Sequence, residues 1–289
     1  MRATFLNDEV SRDLDECIDF ARSEGLDAIE LRMIGDANVV TLPAAEQREL
    51  AAKLARAGLR VVALSTPLFK IPLEGDADPD DPDPFRAVTA GFEEHLELIP
   101  RAADAARLFG APMLRCFAFL GRGDYRDVRA PILARLRSAG ERLARHAPGL
   151  RFGLENEHTT YVRTAEEVAD AVRALGDPFD VLWDPGNAFV AGERRPTLGF
   201  EAVAGLVGHI HVKDPLPHGD GLRFVPLGQG AIDYRAQAAA WARSGYRGYV
   251  GLEPHLIVGR SSIPGARACL DALRPLLADA VAGAERSPT

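Results

Sequence analysis

Glu155, Asp184, His211 and Glu253 carry groups that could hold a cation, and each closes a short apolar run: RFGLENEH, FDVLWDPGN, HIHVKD and YVGLEPH. The runs read as buried strands, with the polar residue arriving near the end of each. Three carboxylates and one imidazole in one place make a divalent metal site of mixed hard and borderline character. That donor set suits Mn, Co, Mg or Zn better than copper or an iron–sulfur cluster. The four ends meet only if the strands are parallel and their C-terminal ends share a face, as in a barrel. Neighbouring strands lie about 4.8 Å apart, so four consecutive ends can surround one ion.

The rest of the chain supplies such a frame. Strand-like runs fall at Ala3–Leu6, Ala28–Leu31, Leu59–Leu64, Met113–Phe119, Phe152–Leu154, Phe179–Trp183, His209–Val212 and Tyr249–Leu252. Helical spacing follows each, over Asp8–Glu24, Ala44–Ala57, Phe85–Phe109, Val128–His146, Thr164–Leu175, Leu198–Leu206, Ile232–Ser244 and Ile263–Ala282. The sixth helix, around Leu198–Leu206, is the weakest. Thr164 with Glu167 three residues later predicts a capping box. Eight alternating units require parallel strands with helical crossovers. The expected fold is α/β, a single (β/α)8 TIM barrel over residues 1–282, with 283–289 a disordered tail. No glycine fingerprint for a dinucleotide follows the first strand. Residues 71–84, rich in Asp and Pro, and 214–231, rich in Pro and Gly, read as loops on the active-site side. The first is a candidate lid.

Composition narrows the function classes. The 289 residues carry a net charge of −8, which argues against a general binder of the phosphate backbone. The first residues lack a signal-peptide pattern and no run of about 18 apolar residues occurs, so neither nucleic acid nor membrane is an expected partner. Cys17, Cys116 and Cys269 form no CxxC pair and read as buried reduced thiols, consistent with a cytoplasmic protein.

With these segments in view, the chain resembles the xylose-isomerase-like barrel superfamily, in its sugar phosphate isomerase/epimerase branch. That branch is similar to ketose 3-epimerases, hydroxypyruvate isomerases and inosose dehydratases. The resemblance rests on GLDAIELR, GLEN, WDPGN, HIHVKD and GLEPH, in family order. It implies that Glu155, Asp184, His211 and Glu253 ligate one divalent ion, with Mn favoured. It also implies that Glu155 and Glu253 are the proton-transfer pair. The implied partner is a small carbohydrate, and a homo-oligomer is compatible with the family. Proton removal next to a ketose carbonyl needs the resulting enediolate stabilised, which a divalent Lewis acid does. Return to the other face gives epimerisation, return to the neighbouring carbon gives isomerisation, and loss of a β-oxygen substituent gives elimination.

Departures bear on that choice. Ketose 3-epimerases typically place histidine where this chain has Asn187 and arginine where it has Pro217. Lys213, two residues after His211 and on the same strand face, resembles the inosose dehydratase-like members. The expected activity is a metal-dependent isomerase or epimerase on a ketose-like compound, with a lyase or dehydratase on an inosose or 3-keto-glycoside as the rival. A non-catalytic sugar-binding barrel is a third class. Apurinic endonucleases share the barrel but need further metal ligands and basic loops. Further substrate-binding candidates are His158, Asn187 and His255. Glu30 could hold a substrate hydroxyl or a histidine, and Arg115 a phosphate or a buried carboxylate. Phe69 and Lys70 could wall the pocket, while alternation turns Trp183 into the helix layer.

Overall fold

The computed structural model describes residues 1–74, 91–219, 221–257 and 261–285. Eight strands form one parallel sheet: β1 (Arg2–Phe5), β2 (Ala28–Leu31), β3 (Arg60–Leu68), β4 (Met113–Cys116), β5 (Arg151–Glu155), β6 (Phe179–Trp183), β7 (Val207–Val212) and β8 (Tyr249–Leu252). Each strand from β2 to β8 pairs with its successor, and β8 pairs with β1 from Arg2–Tyr249 to Phe5–Leu252. A parallel bridge between Leu6 and Glu30 joins the ends of β1 and β2 and completes the circuit. The fold is the expected (β/α)8 barrel. Strands covered on both faces need no polar alternation, and all four residues of β2 and of β4 are buried.

The intervening helices are α1 (Leu14–Ser23), α2 (Ala44–Ala57), α3 (Phe92–Phe109), α4 (Tyr125–His146), α5 (Ala165–Leu175), α6 (Pro185–Val190), α7 (Pro196–Val203), α8 (Tyr234–Arg243) and α9 (Ile263–Glu285). Gly58 ends α2 with φ of +72°, the left-handed conformation that glycine takes without a Cβ clash. Thr164 caps α5 as its sequence predicts, with its hydroxyl accepting from Glu167 N–H while the Glu167 carboxylate accepts from Thr164 N–H.

Several boundaries differ from the sequence expectation. The helix expected over Asp8–Glu24 splits into a 3-10 turn at Asn7–Glu9 and α1. Asp13 caps α1 by accepting from Asp15 N–H, while Asn7 is buried and bonds Met33 O and Arg32 N–H. The fourth strand stops at Cys116, three residues before the expected Phe119. Asp124 starts α4 at Tyr125 rather than Val128. The weak sixth helix, expected around Leu198–Leu206, is α7 at Pro196–Val203, and a further short helix, α6, precedes it; each is opened by a proline. Within 214–231, Asp214–His218 and Gly221–Val225 pair as an antiparallel hairpin rather than an irregular loop. Helix α9 runs to Glu285, into the expected tail. Residues 286–289 and most of the candidate lid at 71–84 lie outside the described residues. All three cysteines are buried and unpaired, and Trp183 packs on Phe200 in the helix layer.

Removing the Thr164 hydroxyl should isolate the capping contribution. Thr164→Ala is expected to lower stability by about 1 kcal/mol. In urea unfolding, this appears as a lower midpoint with an unchanged slope.

Candidate metal centre

The C-terminal ends of β5 to β8 bring Glu155, Asp184, His211 and Glu253 together, with one ligand atom from each within 4.8 Å of the others. All four side chains are buried. Asp184 is also the N-cap of α6, where Oδ1 accepts from Asn187 N–H at 2.9 Å. Its other oxygen, Oδ2, is buried without a hydrogen bond. Lys213 Nζ lies 2.9 Å from that oxygen, an ion-pair contact whose alignment does not make a hydrogen bond. Asn156 ties the ends of β5 and β6: its amide donates to Asp184 O and accepts from Asp184 N–H, both at 2.8 Å.

His211 is oriented from behind. Glu30 Oε2 sits 2.9 Å from His211 Nε2 and 2.8 Å from His209 Nε2, and Ser65 donates to the other carboxylate oxygen. Gly251 permits this, since a Cβ there would come within 3.3 Å of Glu30, His209 and His211. His211 Nδ1 then points into the cluster, 3.7 Å from Glu155 Oε1 and 3.8 Å from Glu253 Oε2, with no hydrogen bond of its own. An imidazole nitrogen without a hydrogen bond and a carboxylate oxygen met only by the Lys213 charge, buried together with two more carboxylates, fit a divalent cation. A carboxylate behind a ligating histidine is a usual support for such a ligand.

Strong fields act on these groups. Burial pushes Glu253 up, but the charges of Lys213, His255, Arg32 and His211 outweigh it and hold the carboxyl well below its usual range. Burial likewise opposes a charged His211, yet Glu30 and Glu155 raise it to about 10. Asp184 moves the other way: burial raises it, against the lowering by Lys213.

The remaining candidates fall around this cluster. Lys213 Nζ lies 2.8 Å from Glu253 Oε2, so its side chain turns inward as alternation predicts. Arg115 makes the buried ion pair, 3.3 Å from Glu155 Oε2 and 3.8 Å from Glu253 Oε1, with Phe117 beneath its guanidinium. Asn187 donates to Glu155 Oε1 at 3.1 Å, and its Oδ1 lies 3.1 Å from His158 Nδ1. His255 Nε2 lies 4.0 Å from Glu253 Oε2. Glu30 takes histidines rather than presenting a free carboxylate to substrate. Phe69 is fully buried against Phe92 and Phe119, whereas Lys70 reaches to 4.0 Å from Glu157.

Sequence reasoning missed Arg32, Glu9, Glu157 and His209. Arg32 is buried and bonds Asp8, Glu9 and Glu253 at once. Arg32, Glu157 and His209 each stand two residues from a residue singled out in the sequence, so strand alternation alone could have found them. Two other acid–histidine groups approach metal-binding geometry among the described residues: Glu30–His209–His211 and Glu9–Glu253–His255. In the first, the imidazoles already bond Glu30. In the second, Arg32 supplies the cation.

A parallel barrel carrying a carboxylate–imidazole cluster at its C-terminal strand ends is the class that fold and geometry define. The family model described as xylose isomerase-like TIM barrel matches residues 18–276, and the chain belongs to that family. Among solved structures, the chain resembles the probable 3-DHS dehydratase AsbF from Bacillus anthracis, with 18% identity over 95% of this chain and 99% of that one and a TM-score of 0.73. It also resembles an L-ribulose 3-epimerase (17% identity, 98% and 97% covered, TM-score 0.73). A third likeness is to the IOLI protein, described with a bound zinc atom (16% identity, 98% and 99% covered, TM-score 0.72). At these identities the likeness is one of fold. A search of curated protein sequences finds no match to this chain.

Two sets of variants probe the centre through metal content. Asp184→Ala and His211→Ala are expected to abolish binding of about one divalent ion per chain, measured by elemental analysis after dialysis. Glu30→Gln keeps all four ligands but loosens His211, so metal affinity should fall roughly 10- to 100-fold. Equal metal affinity in Glu30→Gln and the parent chain would remove Glu30 from that role.

Proposed function

We propose that the chain is a divalent-metal-dependent enzyme that moves a proton next to the carbonyl of a ketose-like polyhydroxylated compound, giving isomerisation or epimerisation. The observation that carries this is the convergence of Glu155 and Glu253 on His211 Nδ1, at 3.7 Å and 3.8 Å, both also within reach of Arg115. Glu155, Asp184, His211 and Glu253 would hold the ion, with Mn favoured. The ion supplies Lewis acidity toward the carbonyl and adjacent hydroxyl oxygens of the substrate. Glu155 and Glu253 remove and return the proton, and Arg115, in contact with both carboxylates, helps to orient them. Asn187 fixes the Glu155 oxygen it bonds. The free, buried thiols suit a reducing cytoplasm.

A second reading, elimination from an inosose or 3-keto-glycoside, is favoured by Lys213. Its ammonium sits beside two of the candidate ligands, where it can protonate a departing oxygen or offset its charge. The barrel shared with an epimerase and with a probable dehydratase is compatible with either reaction.

The deciding experiment incubates metal-loaded protein with ketoses, inososes and 3-keto-glycosides in deuterated water. Deuterium incorporation without loss of a substituent supports the isomerase reading, whereas release of water or aglycone selects the lyase. No exchange on any member of the panel defeats both. Glu155→Gln and Glu253→Gln are each expected to slow exchange by at least about 10²-fold. Lys213→Met separates the readings again. In a lyase it suppresses elimination while exchange persists, and in an isomerase it mainly raises KM.

A further inference from the structure

Two buried glutamates outside the four-residue cluster each hold a histidine at the edge of the centre. After β8, the ring of His255 has Nδ1 3.0 Å from Glu9 Oε1, while its backbone N–H donates to Glu9 Oε2 at 2.8 Å. One carboxylate thus grips both ends of the residue. His255 has φ of +52°, a left-handed conformation rarely adopted by a residue with a Cβ. The hairpin presses Phe224 edge-on against the ring, with centroids 5.1 Å apart. After β5, His158 Nδ1 lies 2.9 Å from Glu157 Oε1 and 3.1 Å from Asn187 Oδ1. Thr159 fastens the other Glu157 oxygen through its hydroxyl and its N–H.

The two arrangements match. Both glutamate side chains are at most 8% exposed, whereas the His158 and His255 side chains remain 37% and 27% exposed. In each ring a carboxylate occupies Nδ1 and fixes that nitrogen as the donor, and neither Nε2 has a hydrogen bond among the described residues. Strands β5 and β8 are also the two ends of the arc that carries Glu155, Asp184, His211 and Glu253. The held imidazoles therefore bracket the cluster, one beside each proposed base.

We propose that His158 and His255 are paired hydroxyl-binding groups, that Glu157 and Glu9 are the positioning residues that commit each Nε2 to ligand, and that the substrate is consequently a polyol-like compound held on both flanks of the metal centre. This deepens the functional reading above and rests on it for the nature of the substrate. A Nε2 whose partner nitrogen is tied to a carboxylate bonds a sugar hydroxyl well, because a hydroxyl both donates and accepts. The strained backbone at His255 is then explained as the cost of aiming that ring, offset by its two contacts to Glu9, one from the backbone N–H and one from ring Nδ1.

The probe is xylitol, which has hydroxyls but no carbonyl, titrated into the metal-loaded full chain. Imidazole 15N spectra should show the Nδ1–H tautomer for both histidines, and xylitol should move both Nε2 resonances. His158→Phe and His255→Phe keep an aromatic ring and all four proposed metal ligands, so each should still load the ion, while weakening xylitol roughly five- to tenfold. Glu9→Gln and Glu157→Gln should each loosen the tautomer of their own histidine alone and weaken xylitol by a similar factor. Unmoved Nε2 resonances, failure of xylitol to bind, or parent-like affinity in the glutamine variants would overturn the assignment. The readout is binding, so failure of every carbonyl substrate to exchange deuterium would defeat the functional reading and leave this one standing.

Discussion

Carboxylates taken out of water dictate this end of the barrel. The side chains of Asp8, Glu9, Glu30, Glu155, Glu157, Asp184 and Glu253 are all no more than 8% exposed. An isolated buried carboxylate would take up a proton rather than stay ionised. Here the charge is met by cations threaded between the acids. Arg32 serves Asp8, Glu9 and Glu253, Arg115 serves Glu155 and Glu253, Lys213 serves Asp184 and Glu253, and His211 serves Glu30, which also contacts the His209 ring. Losing one partner of such a pair leaves a buried charge uncompensated, at a cost of about 3–5 kcal/mol. The network is therefore held by its own electrostatics, and a divalent ion bound as proposed would join a balance that is already tight.

The barrel makes this density achievable. Parallel strands set consecutive ends side by side, and the every-second-residue spacing continues one to three residues beyond several of those ends. Glu30 and Arg32, Glu155 and Glu157, Glu253 and His255, and the series His209, His211, Lys213 all follow that spacing. Each end thus delivers a charged or imidazole group at two depths. The deeper layer, with Glu30 and His209, fixes the orientation of His211. The upper layer, with Glu157, Lys213 and His255, reaches the rim. Asn156 breaks the alternation and instead locks the end of β5 to the backbone of Asp184.

How much could be read from sequence follows from the same geometry. The barrel was legible because buried parallel strands leave apolar runs and helices leave 3.6-residue spacing, and Thr164 with Glu167 announced a real cap. Glu155, Asp184, His211 and Glu253 were legible because an acid or histidine closing such a run is conspicuous. Arg32, Glu157 and His209 carried the same i, i+2 signal and were passed over. Glu9 had no local signal at all: it sits in a 3-10 turn after β1, and its partners Arg32 and His255 come from the ends of the two flanking strands, β2 and β8, the second of them at the other end of the sequence. The hairpin at Asp214–Val225 was hidden by Pro215 and Pro217, which the short ladder tolerates. Alternation reads what one strand carries, and not which distant acid will meet it.

The two glutamates assigned to proton transfer are not equivalent. Glu253 is engaged by Arg32 at 2.5 Å and by Lys213 at 2.8 Å, two full positive charges on one carboxylate. Glu155 is engaged by Arg115 at 3.3 Å and by the neutral amide of Asn187 at 3.1 Å. A carboxylate stabilised in its charged form by close cations gives up that stabilisation on taking a proton, which makes it the weaker base and the stronger acid. The same charges hold the Glu253 carboxyl well below its usual range, which makes it a weak base for a carboxylate. In the reading proposed above, Arg32 and Lys213 therefore favour Glu253 giving up a proton once it has received one, and neither needs to touch the proton itself.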